Sequence, residues 1–336
     1  MSSRLVTSGL RAVRLLAASE HPTVVRLRDR VGRARDRLDH PQLRDARRLL
    51  AAADHASLDV LFLGESVLNF VGPEDADRRR LPTMVADGLG PAGDLLAVHG
   101  GGYHAELLAT YLELLEQRGH RPKAVIVALW VRGRFAPWMA HPVFGHLDAM
   151  ARLQAIDPGV AAWRVRGSLR RPPYDSTVFH AVRHATMAGD LTVGDYARPL
   201  KAGDLVGAER LRLLYAYHHG AALDAAALTA VTRLGAVLAR MGCAVVAYQT
   251  PICVETGVRA LGPELAALVT ANFAAIDAAF QRGVDTPVLQ TGTAFGVLEF
   301  IDPDDGSEHL NSVGRQRLAD LLVAATQTAS REGSGE

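Results

Sequence analysis

The sequence predicts an α/β protein built on a parallel sheet of about five strands. Five short apolar segments recur between residues 58 and 325, and helical segments separate them. Apolar runs of about four to eight residues that end at glycine or polar residues are typical of strands buried on both faces of a parallel sheet. The chain has 336 residues, of which 49% are apolar, and this suits one large α/β domain with additions.

The first predicted strand, residues 60–63, ends abruptly at Gly64-Glu65-Ser66. Open α/β sheets bind their ligands in the crevice beyond the carboxyl ends of the strands. A serine that follows a buried strand directly would present its hydroxyl there, so Ser66 is the candidate nucleophile. Serine is also a favoured helix N-cap, and capping of the next helix is the alternative.

The remaining elements follow in order. Strands are predicted over residues 95–98, 124–130, 244–248 and 287–290, and helices over 81–89, 105–117, 221–241 and 263–281. The second strand runs into His99-Gly100-Gly101-Gly102-Tyr103-His104. Glycine lets backbone N–H groups approach a ligand closely, although three glycines can also form a simple tight turn.

The chain is expected to divide into a basic helical extension over 1–57, a main domain over 58–325 and a disordered tail over 326–336. The first 50 residues hold 12 arginines against five acidic residues. Their basic face is either a solvated surface or a docking site for an acidic protein or an anionic membrane. Residues of about 135–220 lack sustained periodicity and are predicted to be an insertion that forms a lid, or a small aromatic core of its own.

Composition excludes several classes of protein. A net charge of +1 argues against general nucleic-acid binding. Cys243 and Cys253 are too few for a disulfide framework and lack a metal-ligand spacing. No apolar run reaches the roughly 18 residues of a transmembrane helix, and the first residues do not resemble a signal peptide. We expect a soluble cytoplasmic protein that needs no cofactor or metal.

The other candidate site residues lie just before the last predicted helix. His309 could act as a general base, and Asp305, with Asp302 in reserve, could orient it. Glu308 is expected to point away from this site. A histidine in front of a helix can also be a cap or a surface residue.

A serine after the first strand, with an acid and a histidine just before the last helix, resembles the SGNH, or GDSL-like, hydrolase superfamily. The resemblance covers roughly residues 58–325 and implies a three-layer, flavodoxin-like fold. It also implies a triad of Ser66, His309 and Asp305, with the N–H groups of Ser66 and Gly101 in the oxyanion hole. The family usually carries Gly-x-Asn-Asp after the third strand, and in this chain Arg132 stands where the asparagine would be.

The acid also departs from the family pattern. The family usually has Asp-x-x-His, whereas Gly306 stands three residues before His309. The resemblance implies a serine esterase or acyltransferase that acts on a small-molecule or carrier-bound acyl group. Arg132 and the longer acidic loop favour the alternative, a catalytically silent binding or scaffold protein. A phosphate- or sulfate-ester enzyme with Arg132 as an anion clamp is a third possibility.

Overall fold

The computed structural model describes residues 41–55, 58–90, 94–100, 103–132, 207–301 and 308–334. By its contacts the chain divides into two units, residues 1–44 and 45–336. Nearly all of the first unit lies outside the described residues, as does most of the predicted insertion.

The described residues form five β-strands and eight α-helices. The strands are β1 (Val60–Glu65), β2 (Leu95–Gly100), β3 (Ala124–Leu129), β4 (Ala244–Gln249) and β5 (Val288–Leu289). The helices are α1 (Pro41–His55), α2 (Leu81–Leu89), α3 (Ala105–Gln117), α4 (Gly207–His219), α5 (Ala225–Met241), α6 (Val254–Leu261), α7 (Glu264–Gln281) and α8 (Ser312–Ser334). Two short 3-10 helices cover Ser66–Asn69 and Val297–Glu299.

All five strands are parallel, and their order in the sheet is β2-β1-β3-β4-β5. The α/β class and the five-stranded parallel sheet are therefore confirmed. Every residue of β1 and of β3 is buried, which explains their continuous apolar sequence. The chain leaves β1 for β2 on one side and later returns to β3 on the other. This reversal opens a crevice at the carboxyl ends of β1 and β3, where doubly wound sheets bind ligands.

The helices pack in two groups. Helix α2 packs on α8, which lies against β3 and β4, whereas α3 packs on α5 and α5 on α7. This arrangement is compatible with a three-layer α/β fold. Helix α5 packs very closely on Gly283, just after α7. A Cβ at this position would stand 2.2 Å from the carbonyl oxygen of Thr232 in α5, so only glycine fits there.

Helix α8 continues to Ser334, although a disordered tail was expected from residue 326. Leu318, Leu322 and Thr326 are all buried and follow one another at intervals of four residues. The buried stripe of the helix therefore extends into the segment that had been assigned to the tail.

The main unit also begins before the predicted boundary at residue 58. Asp45 of α1 accepts a hydrogen bond of 2.5 Å from the Tyr103 hydroxyl. Arg48 donates to the Ala97 carbonyl oxygen of β2, and Leu49 is buried. The second half of α1 is thus part of the main unit, where it covers polar backbone of an edge strand.

A buried ion pair ties the loop after Ser66 to the start of α8. Asp75 accepts hydrogen bonds from Arg315 Nη1 (2.6 Å) and from the Ser312 backbone N–H (2.9 Å). Arg315 also donates to the carbonyl oxygens of Leu310 and Asp77, and only 2% of its side chain is exposed. We call this pair the Asp75–Arg315 clamp. It fixes the segment that carries His309 against the turn that carries Ser66.

The clamp also determines how Asp75 titrates. Burial raises the pKa of Asp75, but hydrogen bonds from Arg315, Ser312 and Gly72 outweigh burial and hold the pKa below its usual value. The carboxylate therefore stabilises the fold above the ordinary aspartate pKa of about 4, and this contribution is lost as the pH falls through the lower pKa of the folded state.

Replacing Arg315 with alanine should lower the free energy of unfolding by about 3 to 5 kcal/mol, because it leaves the Asp75 carboxylate buried without its partner. Urea denaturation at neutral pH would measure the change. Arg317→Ala is the matched control. Arg317 lies half a turn after Arg315 on the same helix, is 48% exposed and pairs with Glu299. It should cost about 0 to 1 kcal/mol. Equal losses in the two variants would contradict the clamp.

Candidate functional site

The candidate site lies at the carboxyl ends of β1 and β3, the two strands that flank the crevice. Ser66 is half-buried and begins the 3-10 helix Ser66–Asn69 directly after β1. Leu68 folds back over Gly64, where a Cβ would stand 2.6 Å from the Leu68 Cδ1 atom. Glycine at position 64 therefore allows the sharp turn that leaves Ser66 at the tip of the strand.

Arg132 follows the end of β3 and connects three segments of the chain. Its Nη2 atom donates a hydrogen bond of 3.5 Å to Ser66 Oγ. The same Nη2 atom is 2.7 Å from Glu65 Oε2, and Nε is 3.3 Å from Glu308 Oε2. The side chains of Arg132, Glu65 and Glu308 are 16%, 4% and 1% exposed. One guanidinium thus lies between two buried carboxyl groups and beside the candidate nucleophile.

The protonation of Glu308 reflects this crowding. Burial raises its pKa to about 8; the positive charge of Arg132 opposes the rise, and the negative charge of Glu65 adds to it. Glu65 Oε1 and both carboxyl oxygens of Glu308 lack a hydrogen-bond donor within the described structure. Glu308 is therefore largely protonated at neutral pH, so the site carries less negative charge than its residue types suggest.

His309 lies beside the same turn. Its ring stacks on that of Phe70, with centroids 3.9 Å apart and planes 8° from parallel, and Phe70 directly follows the helix that Ser66 begins. Burial and the charge of Arg132 lower the pKa of His309 to about 4. The imidazole is therefore neutral at pH 7 and able to accept a proton. In the described part of the chain no hydrogen bond joins His309 to Ser66.

Residues 308–310, just before α8, pair with residues 300–301, and this pairing determines where their side chains point. Ile301 N–H donates to the His309 carbonyl oxygen (2.9 Å), and Phe300 pairs with Leu310 in an antiparallel bridge. Alternate residues of an extended segment face opposite sides. Glu308 and Leu310 accordingly face the interior, whereas His309 is partly exposed.

The carboxyl end of α4 adds two histidines, His218 and His219. His219 Nε2 is 3.8 Å from Glu308 Oε1, and neither ring nitrogen of His219 has a hydrogen bond in the described structure. Burial, together with the charge of Arg132, lowers the pKa of His219 to about 3 and that of His218 well below its usual value. Both rings are neutral at pH 7. Helix α4 lies in the predicted insertion, so that region supplies one wall of the site.

The sequence-predicted site residues fall into two groups. Ser66, Arg132 and His309 meet around the carboxyl ends of β1 and β3. Gly101, Asp302 and Asp305 lie outside the described residues, and their assigned roles stay predictions.

Sequence reasoning missed Glu65, Glu308, His218 and His219. Glu308 was expected to point away, but it faces Arg132 from the interior. The buried–exposed alternation in the loop before α8 could have revealed it, since Leu310 marks the inward side. Nothing in the sequence indicated that α4 would bring its two histidines to the same place, because its packing depends on the rest of the fold.

The described residues give little sign of a metal site or a membrane span. No three His, Cys, Asp or Glu side chains among them lie close enough together to hold a metal ion. Among the helices described here, none is both long and apolar enough to cross a bilayer.

No protein-family model matches the chain, and no curated protein is significantly similar to it.

His219→Gln should make the protein less sensitive to acid. An unfolded chain protonates this histidine near pH 6.5, whereas the folded protein keeps it neutral down to about pH 3. Wild type should therefore lose about 1.4 kcal/mol of stability per pH unit, relative to the variant, as the pH falls below about 6.5. Urea denaturation at several pH values would measure this difference. His120→Gln, at the opposite end of the sheet, is the control; a constant difference between wild type and His219→Gln would contradict the assignment.

Proposed function

We propose that the protein is a serine-dependent ester hydrolase or acyltransferase of the SGNH type, in which Ser66 forms an acyl-enzyme. The main support is that Ser66 lies 3.5 Å from Arg132 at the switch point of the sheet, and that His309, from the opposite end of the main domain, stacks on Phe70 beside the same turn and feels the charge of Arg132. A half-buried serine hydroxyl and a neutral imidazole at this edge fit nucleophilic catalysis.

In the proposed reaction His309 takes the proton of Ser66 as Oγ attacks the acyl carbonyl carbon. The bond to the leaving alcohol then breaks, and His309 returns the proton to that alcohol. Water, or an acceptor alcohol or amine, attacks the acyl-enzyme and regenerates Ser66. Asp305, with Asp302 in reserve, is assigned to hold the imidazole in the correct tautomer. The choice between hydrolysis and transfer depends on the acceptor, so the proposal covers both.

The oxyanion of the tetrahedral intermediate would be held by backbone and side-chain donors. Ser66 is the first residue of a 3-10 helix, and the first N–H groups of a helix have no partner within it. Gly101 is assigned a second N–H group from the resemblance. Arg132 would take the place of the family's asparagine, since its Nη2 atom already lies 3.5 Å from Ser66 Oγ.

Arg132 would also improve the proposed base during the reaction. In the resting protein its positive charge contributes to the low pKa of His309, a value at which histidine is a weak base. Negative charge that develops on the oxyanion would offset the charge of Arg132. The pKa of His309 would then rise when the proton must be held.

The second candidate function is a catalytically silent binding protein with the same fold. Two observations favour it: the guanidinium of Arg132 is already paired with Glu65 and Glu308, and Ser66 and His309 share no hydrogen bond within the described structure. A covalent serine probe distinguishes the two functions.

A fluorophosphonate should label wild type on Ser66, because Oγ would displace fluoride from phosphorus while His309 takes the hydroxyl proton. Ser66→Ala should abolish the adduct, and His309→Gln should slow its formation by about 100-fold or more. Intact-protein and peptide mass spectrometry would measure the adduct and its position. Ser330→Ala, far along α8, should label like wild type. A folded wild type that is not labelled, or that is labelled equally after Ser66→Ala, would favour the binding protein.

Arg132→Lys should lower the labelling rate by about 10²- to 10³-fold, the usual effect of losing an oxyanion donor. Lysine keeps the charge, but one ammonium group cannot contact Glu65 and Glu308 and still direct a donor at Ser66. The rate should be compared at a temperature where thermal melts show both proteins folded. A wild-type rate in Arg132→Lys would show that any nearby cation suffices.

A further inference from the structure

We propose that Glu65 and Glu308 form a carboxyl pair that positions Arg132 for the reaction, and that this pair holds a single proton in the active form. The inference rests on the proposed serine chemistry. It assigns a role to two residues to which the SGNH resemblance gives none.

The positions of the two glutamates in the chain fit this role. Glu65 directly precedes Ser66, and Glu308 directly precedes His309. Glu65 contacts Nη2 of Arg132, the same atom that reaches Ser66 Oγ, and Glu308 contacts Nε from the other side. The two carboxyl groups therefore fix the plane and direction of the guanidinium relative to the nucleophile.

The charge balance of this cluster favours one bound proton. With both carboxyl groups ionised, one guanidinium would face two negative charges in a place that solvent hardly reaches. An uncompensated buried charge costs several kcal/mol, and three of the four carboxyl oxygens have no hydrogen-bond donor among the described residues. One proton on the pair makes the cluster neutral. The raised pKa of Glu308 agrees with this count.

Among the described residues, the groups around Glu308 do not supply a second positive charge at neutral pH. Glu65, Arg132, Tyr215 and His219 interact with it, from the end of β1, the segment after β3 and helix α4; His218 is the neighbour of His219, and His309 follows Glu308 in the chain. The three histidines have lowered pKa values and Tyr215 has a raised one, so all four are neutral. In this set Arg132 is the cation.

The proton matters for catalysis because an oxyanion would develop beside Arg132. While the pair keeps its proton, the cluster is neutral and the guanidinium can stabilise new negative charge. When the second carboxyl ionises, its charge opposes the oxyanion. The rate of reaction at Ser66 should therefore fall on the alkaline side, with a midpoint near the Glu308 pKa of about 8.

The experiment is the pH dependence of fluorophosphonate labelling at Ser66, from about pH 6 to about pH 10. The wild-type rate should fall above about pH 8. Glu308→Gln, a neutral isostere that cannot ionise, should lose the alkaline decline. Glu308→Ala, which leaves Arg132 without this support, should label about 10- to 100-fold more slowly at every pH. Glu116→Gln, on the exposed side of α3, should keep the wild-type profile.

A second measurement tests the shared proton without using the reaction. The raised pKa means that folded wild type keeps a proton which the unfolded chain releases above about pH 4.5. As the pH rises from about 4.5 to about 8, the unfolding equilibrium of wild type should therefore shift toward the unfolded state by about tenfold per pH unit, relative to that of Glu308→Gln. Urea denaturation of both proteins would measure this shift.

The outcomes separate the two proposals. A labelled wild type with a flat stability difference, or an alkaline decline that persists in Glu308→Gln, overturns the carboxyl pair and leaves the serine chemistry intact. A wild-type rate in Glu308→Ala overturns the positioning role. A wild type that is never labelled overturns both the serine chemistry and the positioning role, even if the stability shift shows that the proton is shared.

Discussion

The site is organised by one buried guanidinium. Arg132 reaches the end of β1 through Glu65, lies at the end of β3 itself, and reaches the loop before α8 through Glu308. A cation whose side chain is only 16% exposed is stable only if anions or strong acceptors surround it, because the interior cannot replace its hydration. Its partners must therefore stay close. That requirement draws three distant segments of the chain together at one edge of the sheet.

The Asp75–Arg315 clamp contains a second buried arginine, whose charge is balanced in a different way. Arg315 is more deeply buried than Arg132, and its acceptors include two backbone carbonyl oxygens as well as Asp75, so the contact is structural even though its Nε atom has no acceptor among the described residues. Around Arg132, by contrast, several carboxyl oxygens and both ring nitrogens of His219 have no hydrogen bond in the described structure. Unpaired polar atoms at a crevice are expected where a ligand or a reaction intermediate completes the set.

The electrostatics of the site follow from burial more than from residue type. The sequence places acids and histidines here, which suggests a strongly charged pocket. Desolvation instead keeps His218, His219 and His309 neutral and raises the pKa of Glu308. Less negative charge therefore faces Arg132 than the residue types suggest. A neutral imidazole and a guanidinium close to the serine hydroxyl are what the proposed serine chemistry requires.

The sequence by itself predicted the five strands and most of the helices of the main domain, because the pattern of apolar residues is local and each buried strand of the parallel sheet leaves a continuous apolar run. Helices α4 and α6 were not among its predictions. The sequence also indicated that Ser66 and Arg132 follow buried strands and that His309 precedes the last helix. Only the tertiary structure decided which neighbours these residues have. The inward direction of Glu308 depends on the bridge between Phe300 and Leu310, and the histidines of α4 reach the site only because the sheet brings remote segments together. Contacts between residues far apart in the chain leave no local pattern, and the pKa values that arise from those contacts leave none either.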